Sequence, residues 1–362
     1  MTGPELHLIV PGSLDQRTGG YIYDTRMVEG LRRRGWDVVV HSVADESPIG
    51  AARAPASLAE TLRRLPDGVR VVVDGLAMGG SPDVVRAHGS RLTVLALIHL
   101  VLADEMGVAA SQRDRILRLE REALAASAGV IVTSPFTETR VLELGVDAML
   151  IRTVPPGTDP APLATGPGPA ALAQLLCVAS VTPNKGQDVL VRALTRLADV
   201  PWSCVCAGSL TRSPAFAQQV QTQARDAGLS DRIAFPGECD ADTVDALYAT
   251  SSIFVLPSYY EGYGMALAEA MARGLPVVST NGGAIPHIVP SDAGILVQPG
   301  DDAAMASALR LLLVDALDEP HGAHARRARL AAAARRHAAG LPTWDQAVDC
   351  FAEAVCALGH TA

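Results

Sequence analysis

The 362 residues contain no uncharged apolar run of about 18, the length a membrane-crossing helix needs, and they do not open on a basic segment followed by an apolar one. Both absences predict a soluble, cytoplasmic protein. Cysteine is scarce. Cys177, Cys204, Cys206, Cys239, Cys350 and Cys356 show no metal-type spacing with histidine, and several lie in apolar runs, which predicts reduced, buried thiols acting as small hydrophobes. The chain has no G-x-G-x-x-G and no Walker sequence, so neither a dinucleotide fingerprint nor a P-loop is supported. It also lacks positive charge: a formal net charge of −9 argues against nucleic acid or a strongly anionic membrane as the main partner. Lysine is almost missing. Of the 30 basic residues 29 are arginine, which leaves Lys185 as a lone lysine that has survived a strong compositional bias.

What is present suits two domains of ordinary size, each with its own core: 49% apolar residues, with 32 Gly and 24 Pro for many loops. The rest of the chain is organised around Ser258 to Pro276. An apolar run, Ile253 to Leu256, meets a glycine-interrupted loop, and an Ala/Met/Leu helix then runs from near Gly264 to Gly274, with Pro276 barring its extension. This reads as strand, loop, helix. The free N–H groups of a helix N-terminus carry about half a positive charge, which welcomes a phosphate or a sugar oxygen. Glu261 on the loop and Glu269 in the helix can both face one crevice at the carboxyl ends of the strands. Eight residues apart, they would lie about 12 Å apart if wholly helical, which suits two ends of one extended ligand. The plain alternative is two solvated glutamates.

Earlier in the chain, Leu8 to Val10 reads as a strand, Pro11 to Gly20 as a loop, and Tyr21 to Arg34 as an amphipathic helix with Ile22, Met27, Val28 and Leu31 inward. The adjacent Gly19 and Gly20 let a ligand approach the backbone, or simply make a tight turn. Strands follow at Val69 to Asp74 and Thr93 to Ile98. His99, just past the second, stands where ligand chemistry is placed. Arg113, Arg115, Arg118 and Arg121 read as a solvated helical face, with peripheral membrane contact left open but not favoured. Pro160 to Pro169 has linker composition. A second series of strands begins at Leu175 to Ser180 and continues at Ser203 to Ala207, Ile233 to Phe235, Ile253 to Leu256, Val277 to Ser279 and Ile295 to Val297. The helical stretches between them give the alternation of a parallel α/β sheet. A final helix is expected from about Thr343 to Leu358.

The Glu261-to-Glu269 stretch resembles the Glu-x7-Glu signature of the family 4 retaining glycosyltransferases, and the resemblance extends over nearly the whole chain, most specifically from Ala179 to Gly300. It implies the GT-B fold, with two Rossmann-like domains facing a central cleft. The expected divisions are an acceptor-binding domain at 1–160, a nucleotide-sugar domain at 170–342, and a terminal helix at 343–362 crossing back to the first domain. By resemblance Glu261 and the backbone of Gly262, Tyr263, Gly264 and Met265 hold the donor sugar, and Glu269 bonds the nucleotide ribose. Likewise His99 touches the sugar, while Gly19 and Gly20 lie beneath the phosphates. Lys185 precedes a helix, where a compact ammonium can neutralise a departing diphosphate.

Three features need comment. The family's Gly-Arg, four to six residues before Lys-Gly, is Ala179-Ser180 here, so either Arg212 supplies the second cation or binding leans on Lys185 and backbone N–H groups. His287 stands where relatives have glutamate. Asp240-Ala241-Asp242 matches a metal-binding Asp-x-Asp only as a string and sits where aspartates cap helices, and GT-B enzymes generally need no metal. The expected activity is transfer of a hexosyl group from a nucleotide diphosphate sugar, UDP favoured, to an unidentified acceptor, with no cofactor and no nucleic acid. The alternatives are a GT-B sugar-nucleotide epimerase or a catalytically silent nucleotide-sugar-binding subunit. Oligomeric state is left open.

Overall fold

The structure is a computed structural model in which residues 3–44, 54–104, 110–168, 171–314 and 322–359 are described. Packing divides the chain into two units, 1–157 together with 342–362, and 158–341. Each is built on a six-stranded parallel sheet flanked by helices.

In the first unit the strands are β1 (Glu5–Pro11), β2 (Asp37–Val43), β3 (Arg70–Asp74), β4 (Thr93–Ile98), β5 (Gly129–Val132) and β6 (Ile151–Thr153), in the order β2-β1-β3-β4-β5-β6. The second unit has β7 (Ala173–Val178), β8 (Trp202–Ala207), β9 (Ile233–Gly237), β10 (Ile253–Leu256), β11 (Val277–Thr280) and β12 (Gly294–Val297), in the order β12-β11-β10-β7-β8-β9. A parallel sheet covered on both faces needs strands apolar on both sides. Val71, Val72 and Val73, Val94 to Ile98, and Ile253 to Leu256 are accordingly buried without alternation. Strand order reverses between β1 and β3 in one sheet and between β7 and β10 in the other. At such switch points the flanking crossovers leave on opposite faces and open a crevice outside the carboxyl ends.

The stretch expected as a linker is part of the second unit. Ala164 N donates to Arg273 O at 2.8 Å and Thr165 N to Ala249 O at 2.9 Å, so its backbone groups are satisfied there. Pro169 lies outside the described residues. The last helix, Trp344–Ala357, packs on the helix Gly19–Arg33 within the first unit. A Cβ on Gly30 would stand 2.4 Å from Val348 Cγ2, so only glycine permits that approach. Tyr23 meets Trp344 and Phe351 edge-on, at centroid distances of 6.3 Å each.

Two expectations about side chains need correction. Ile22, expected inward, is 38% exposed, because the buried stripe of its helix runs through Tyr21, Asp24, Met27, Val28 and Leu31 instead. Cys177, Cys204 and Cys206 are buried as expected, but Cys239 is half-buried and Cys350 and Cys356 are exposed. No helix among the described residues is long and apolar enough to cross a membrane. Arg113, Arg115, Arg118 and Arg121 are exposed on the helix Ala110–Ala125.

Candidate functional site

In the second unit the loops after β7 and β10 flank the switch point. The first carries a short turn, Pro183–Lys185, then Gly186 in the left-handed region at φ 67°. A Cβ there would lie 2.4 Å from Pro257 O, so the glycine lets the two loops touch. Tyr259 N donates to Asn184 O at 2.8 Å, and Asn184 Nδ2 donates to Tyr260 O at 2.9 Å. This stitching brings Lys185 Nζ to 2.6 Å from Glu261 Oε1, and Ser258 Oγ donates to the same oxygen at 2.6 Å. Glu261 is buried, while the Lys185 side chain keeps 27% exposure. A third loop closes on the cluster: Ala284 N donates to Glu261 O at 2.8 Å, and Glu261 and Gly283 form a parallel bridge.

The helix Met265–Ala272 starts directly beyond, with Gly264 at φ 100° as its first cap. Its leading N–H groups precede any intrahelical acceptor and remain available to an anion. Tyr263 turns its ring into the core, and burial pushes its hydroxyl up to about 12, so this residue offers a ligand its backbone only. Glu269 does not join the Lys185–Glu261 pair. It is half-buried and accepts from Tyr248 Oη at 3.1 Å. Burial raises its pKa, against the pull of Arg273 and the tyrosine hydrogen bond.

Arg212 is exposed on the loop after β8, and that loop lies against the one carrying Lys185: Val181 N donates to Ser209 O at 2.9 Å. Ser180, in the place of the family arginine, is half-buried and gives its carbonyl to Gln187 Nε2 at 3.0 Å. His287 is exposed on the short helix Ile285–Ile288. Asp240 caps the helix Ala241–Ala249 through Thr243 N at 2.8 Å.

The first unit gathers a second cluster around its own switch point. His99 follows β4 directly. Its Nε2 lies 3.1 Å from Asp24 Oδ1, on the helix after β1, and 3.5 Å from Asp74 Oδ2, at the end of β3. Gly20 lies flat against the imidazole, where a Cβ would approach His99 Cδ2 to 3.3 Å, and Gly19 is exposed at the helix start. Tyr23 meets the same ring edge-on at 5.3 Å. Burial pulls the His99 pKa down, but the charge and hydrogen bond of Asp24, with the charge of Asp74, raise it on balance. Burial pushes Asp74 up to about 7, with His99 opposing and Asp24 adding to the rise. Among the described residues, Asp24, Asp74 and His99 are the one set offering three ligand-type atoms within 4.8 Å of one another. The two aspartates escaped the sequence reading. The available signal was Asp24 itself, a carboxylate on the apolar stripe of its helix.

The profile described as Glycosyltransferase Family 4 matches residues 23–162, and that described as Glycosyl transferases group 1 matches 170–337. The chain belongs to this family of glycosyltransferases and has its GT-B fold. A D-inositol 3-phosphate glycosyltransferase of Xylanimonas cellulosilytica is 30% identical over 369 residues, covering 95% of this chain and 78% of the relative. Its namesake from Salinispora tropica is 31% identical over 263 residues, 65% of this chain and 53% of that one, so the match there spans about half the relative. Among solved structures, sucrose-phosphate synthase (tll1590) from Thermosynechococcus elongatus superposes with a TM-score of 0.80 at 23% identity, covering 97% of this chain and 98% of the other. Anabaena Alr3699/HepE in complex with UDP-glucose gives 0.77 at 18%, covering 98% and 100%. At these identities the two structures show the shared fold.

Proposed function

We propose that this chain transfers a hexosyl group, with retention, from a nucleoside diphosphate sugar to an acceptor. The observation that carries the reading is the Lys185–Glu261–Ser258 cluster, set between two loops at the switch point of the second sheet and beside a helix N-terminus. Lys185 and the helix N-terminus take the diphosphate, Glu261 with the backbone from Gly262 to Met265 holds the sugar, and Glu269 accepts from the ribose. Attack by the acceptor on the face from which the nucleotide leaves retains configuration. Lys185 and the helix terminus stabilise the charge that develops on the leaving group. In the first unit His99 is assigned to the sugar, and Gly19 and Gly20 to the phosphates. Arg212, on the neighbouring loop, is the candidate for the second phosphate cation.

No metal or other cofactor enters this mechanism, so EDTA should leave turnover unchanged. UDP-glucose is the first donor to test, since HepE, of the same fold, is known with it. Phosphorylated polyols are the first acceptors, since relatives are named D-inositol 3-phosphate glycosyltransferases. A thermal-shift panel of sugar nucleotides checks the donor: at 100 times its dissociation constant a ligand adds about 2.7 kcal/mol to stability. The reading fails if no sugar nucleotide shifts the transition. Conversion of the donor without acceptor would mean an epimerase.

A further inference from the structure

We infer that Asp24 and Asp74 are positioning residues that hold His99 as an imidazolium, Nε2–H turned inward and Nδ1–H turned to the ligand, making His99 a hydrogen-bond donor to an oxygen of the sugar. The inference rests on the reading that His99 contacts the donor. Its observations are those of the first unit alone.

Two carboxylates from different elements lie within reach of one nitrogen, at 3.1 and 3.5 Å. Carboxylates only accept, so Nε2 carries a proton. Asp24 is 1% and Asp74 4% exposed, and a buried carboxylate without a compensating cation is costly. The imidazole is the one group of the cluster able to supply that charge. Asp74 is itself fixed by Leu76 N, which donates to its other oxygen at 2.6 Å. Asp24 Oδ2 is buried and unpartnered, so the cluster's negative charge is not drained elsewhere. Tyr23 spends its hydroxyl on Val154 O at 3.1 Å and offers His99 only a ring edge. Glu120, from the helix Ala110–Ala125, acts three residues on, where both its oxygens accept from Leu102 N at 3.1 Å. The Asp104–Arg140 pair closes the same turn. With Nε2 engaged and the side chain 19% exposed, Nδ1 is the nitrogen left to the ligand.

Loss of one proton changes the polarity of the outward nitrogen. Nε2–H stays with the carboxylates, and Nδ1 turns from donor to acceptor. Turnover should therefore fall on an alkaline limb set by His99 and lying above the ordinary histidine range.

The primary test is nitrogen NMR of the histidine-labelled protein, with His99→Gln to assign the signal. An imidazolium signal persisting at pH 7.5 is expected; a neutral ring at pH 6.5 overturns the inference. The second test is the pH profile of UDP-glucose turnover. Asp24→Asn should move the alkaline limb down by about one unit or more, the effect of removing an opposite charge in direct contact. Asp74→Asn should move it less, because its oxygen lies farther from Nε2, at 3.5 Å against 3.1 Å. UDP affinity should be unchanged in both. If His99→Ala leaves turnover intact, the sugar-contact reading fails. If His99→Ala lowers turnover but both asparagine variants keep the wild-type limb, only the positioning inference fails. Wild-type activity lost to a chelator and restored by a divalent metal would make the three residues a metal site and overturn it.

Discussion

In the second unit one ammonium meets one carboxylate at 2.6 Å, with a serine hydroxyl completing the set. In the first, one imidazole is shared by two carboxylates. The second cluster is balanced in charge and lies beside a positive helix end. The first is negative unless the imidazole is charged, and burial, which pushes Asp74 up to about 7, limits how much charge its second carboxyl adds. On the proposed reading a neutral sugar oxygen accepts from His99 there. The two switch points are alike in topology and differ in charge. Fold supplies the crevice, and side chains decide its charge.

The largest effect tests the balanced cluster. Lys185→Arg puts a broad planar guanidinium in place of a compact ammonium. A displacement of about 1 Å costs on the order of a hundredfold in turnover, and Lys185→Ala should be worse. Wild-type kinetics at saturating donor, with the fold confirmed by circular dichroism, would remove Lys185 from the site. Glu269→Ala comes next. It should weaken donor and free UDP together by about 1.5–3 kcal/mol, the worth of a charge-assisted hydrogen bond to ribose. Calorimetry giving unchanged UDP affinity would refute that assignment. Glu261→Gln should separate the two functions of its cluster. With Lys185 released from its carboxylate, free UDP should bind roughly tenfold tighter while transfer falls; weaker UDP binding would show that the pair shapes the phosphate site rather than competing with it.

The smallest effect lies in the first unit and concerns stability. Burial pushes Glu120 from 4.5 up to about 7. A carboxyl raised in the folded state binds its proton more tightly folded than unfolded. Its contribution is thus present at low pH and is lost as pH rises from about 4.5 to about 7. Glu120→Gln should flatten this loss, on the order of 2–3 kcal/mol between pH 5 and 8, in denaturant titrations. An unchanged slope would show that Glu120 titrates as an ordinary carboxyl.

Where apolar runs were sharply bounded, sequence was enough. β4 and β10 begin and end at the residues their composition predicts, Thr93–Ile98 and Ile253–Leu256. β6 was missed, because Ile151–Thr153 is too short to show any period. The helix Ala323–Ala338 was missed as well, since its alanines and arginines give little contrast between faces. In the site, spacing pointed to Lys185, Glu261 and Glu269 as residues of interest. It could not reveal that the first two are paired while the third sits under Tyr248, because that depends on contacts 76 and 21 residues apart in sequence. Asp74 was invisible for the same reason, since its partner His99 lies on another strand end.

The last helix has a consequence for how the molecule is made. Residues 158–341 form a continuous unit, but 1–157 lack Trp344, Val348 and Phe351 until the remainder of the chain has been synthesised. On the ribosome, at about 5–20 residues per second, the first sheet waits on the order of ten seconds or more with Tyr23 and the Gly30 face uncovered. The inserted unit is thus free to fold before the one that precedes it, and a nascent chain stalled at 341 exposes an apolar stripe for chaperones to bind.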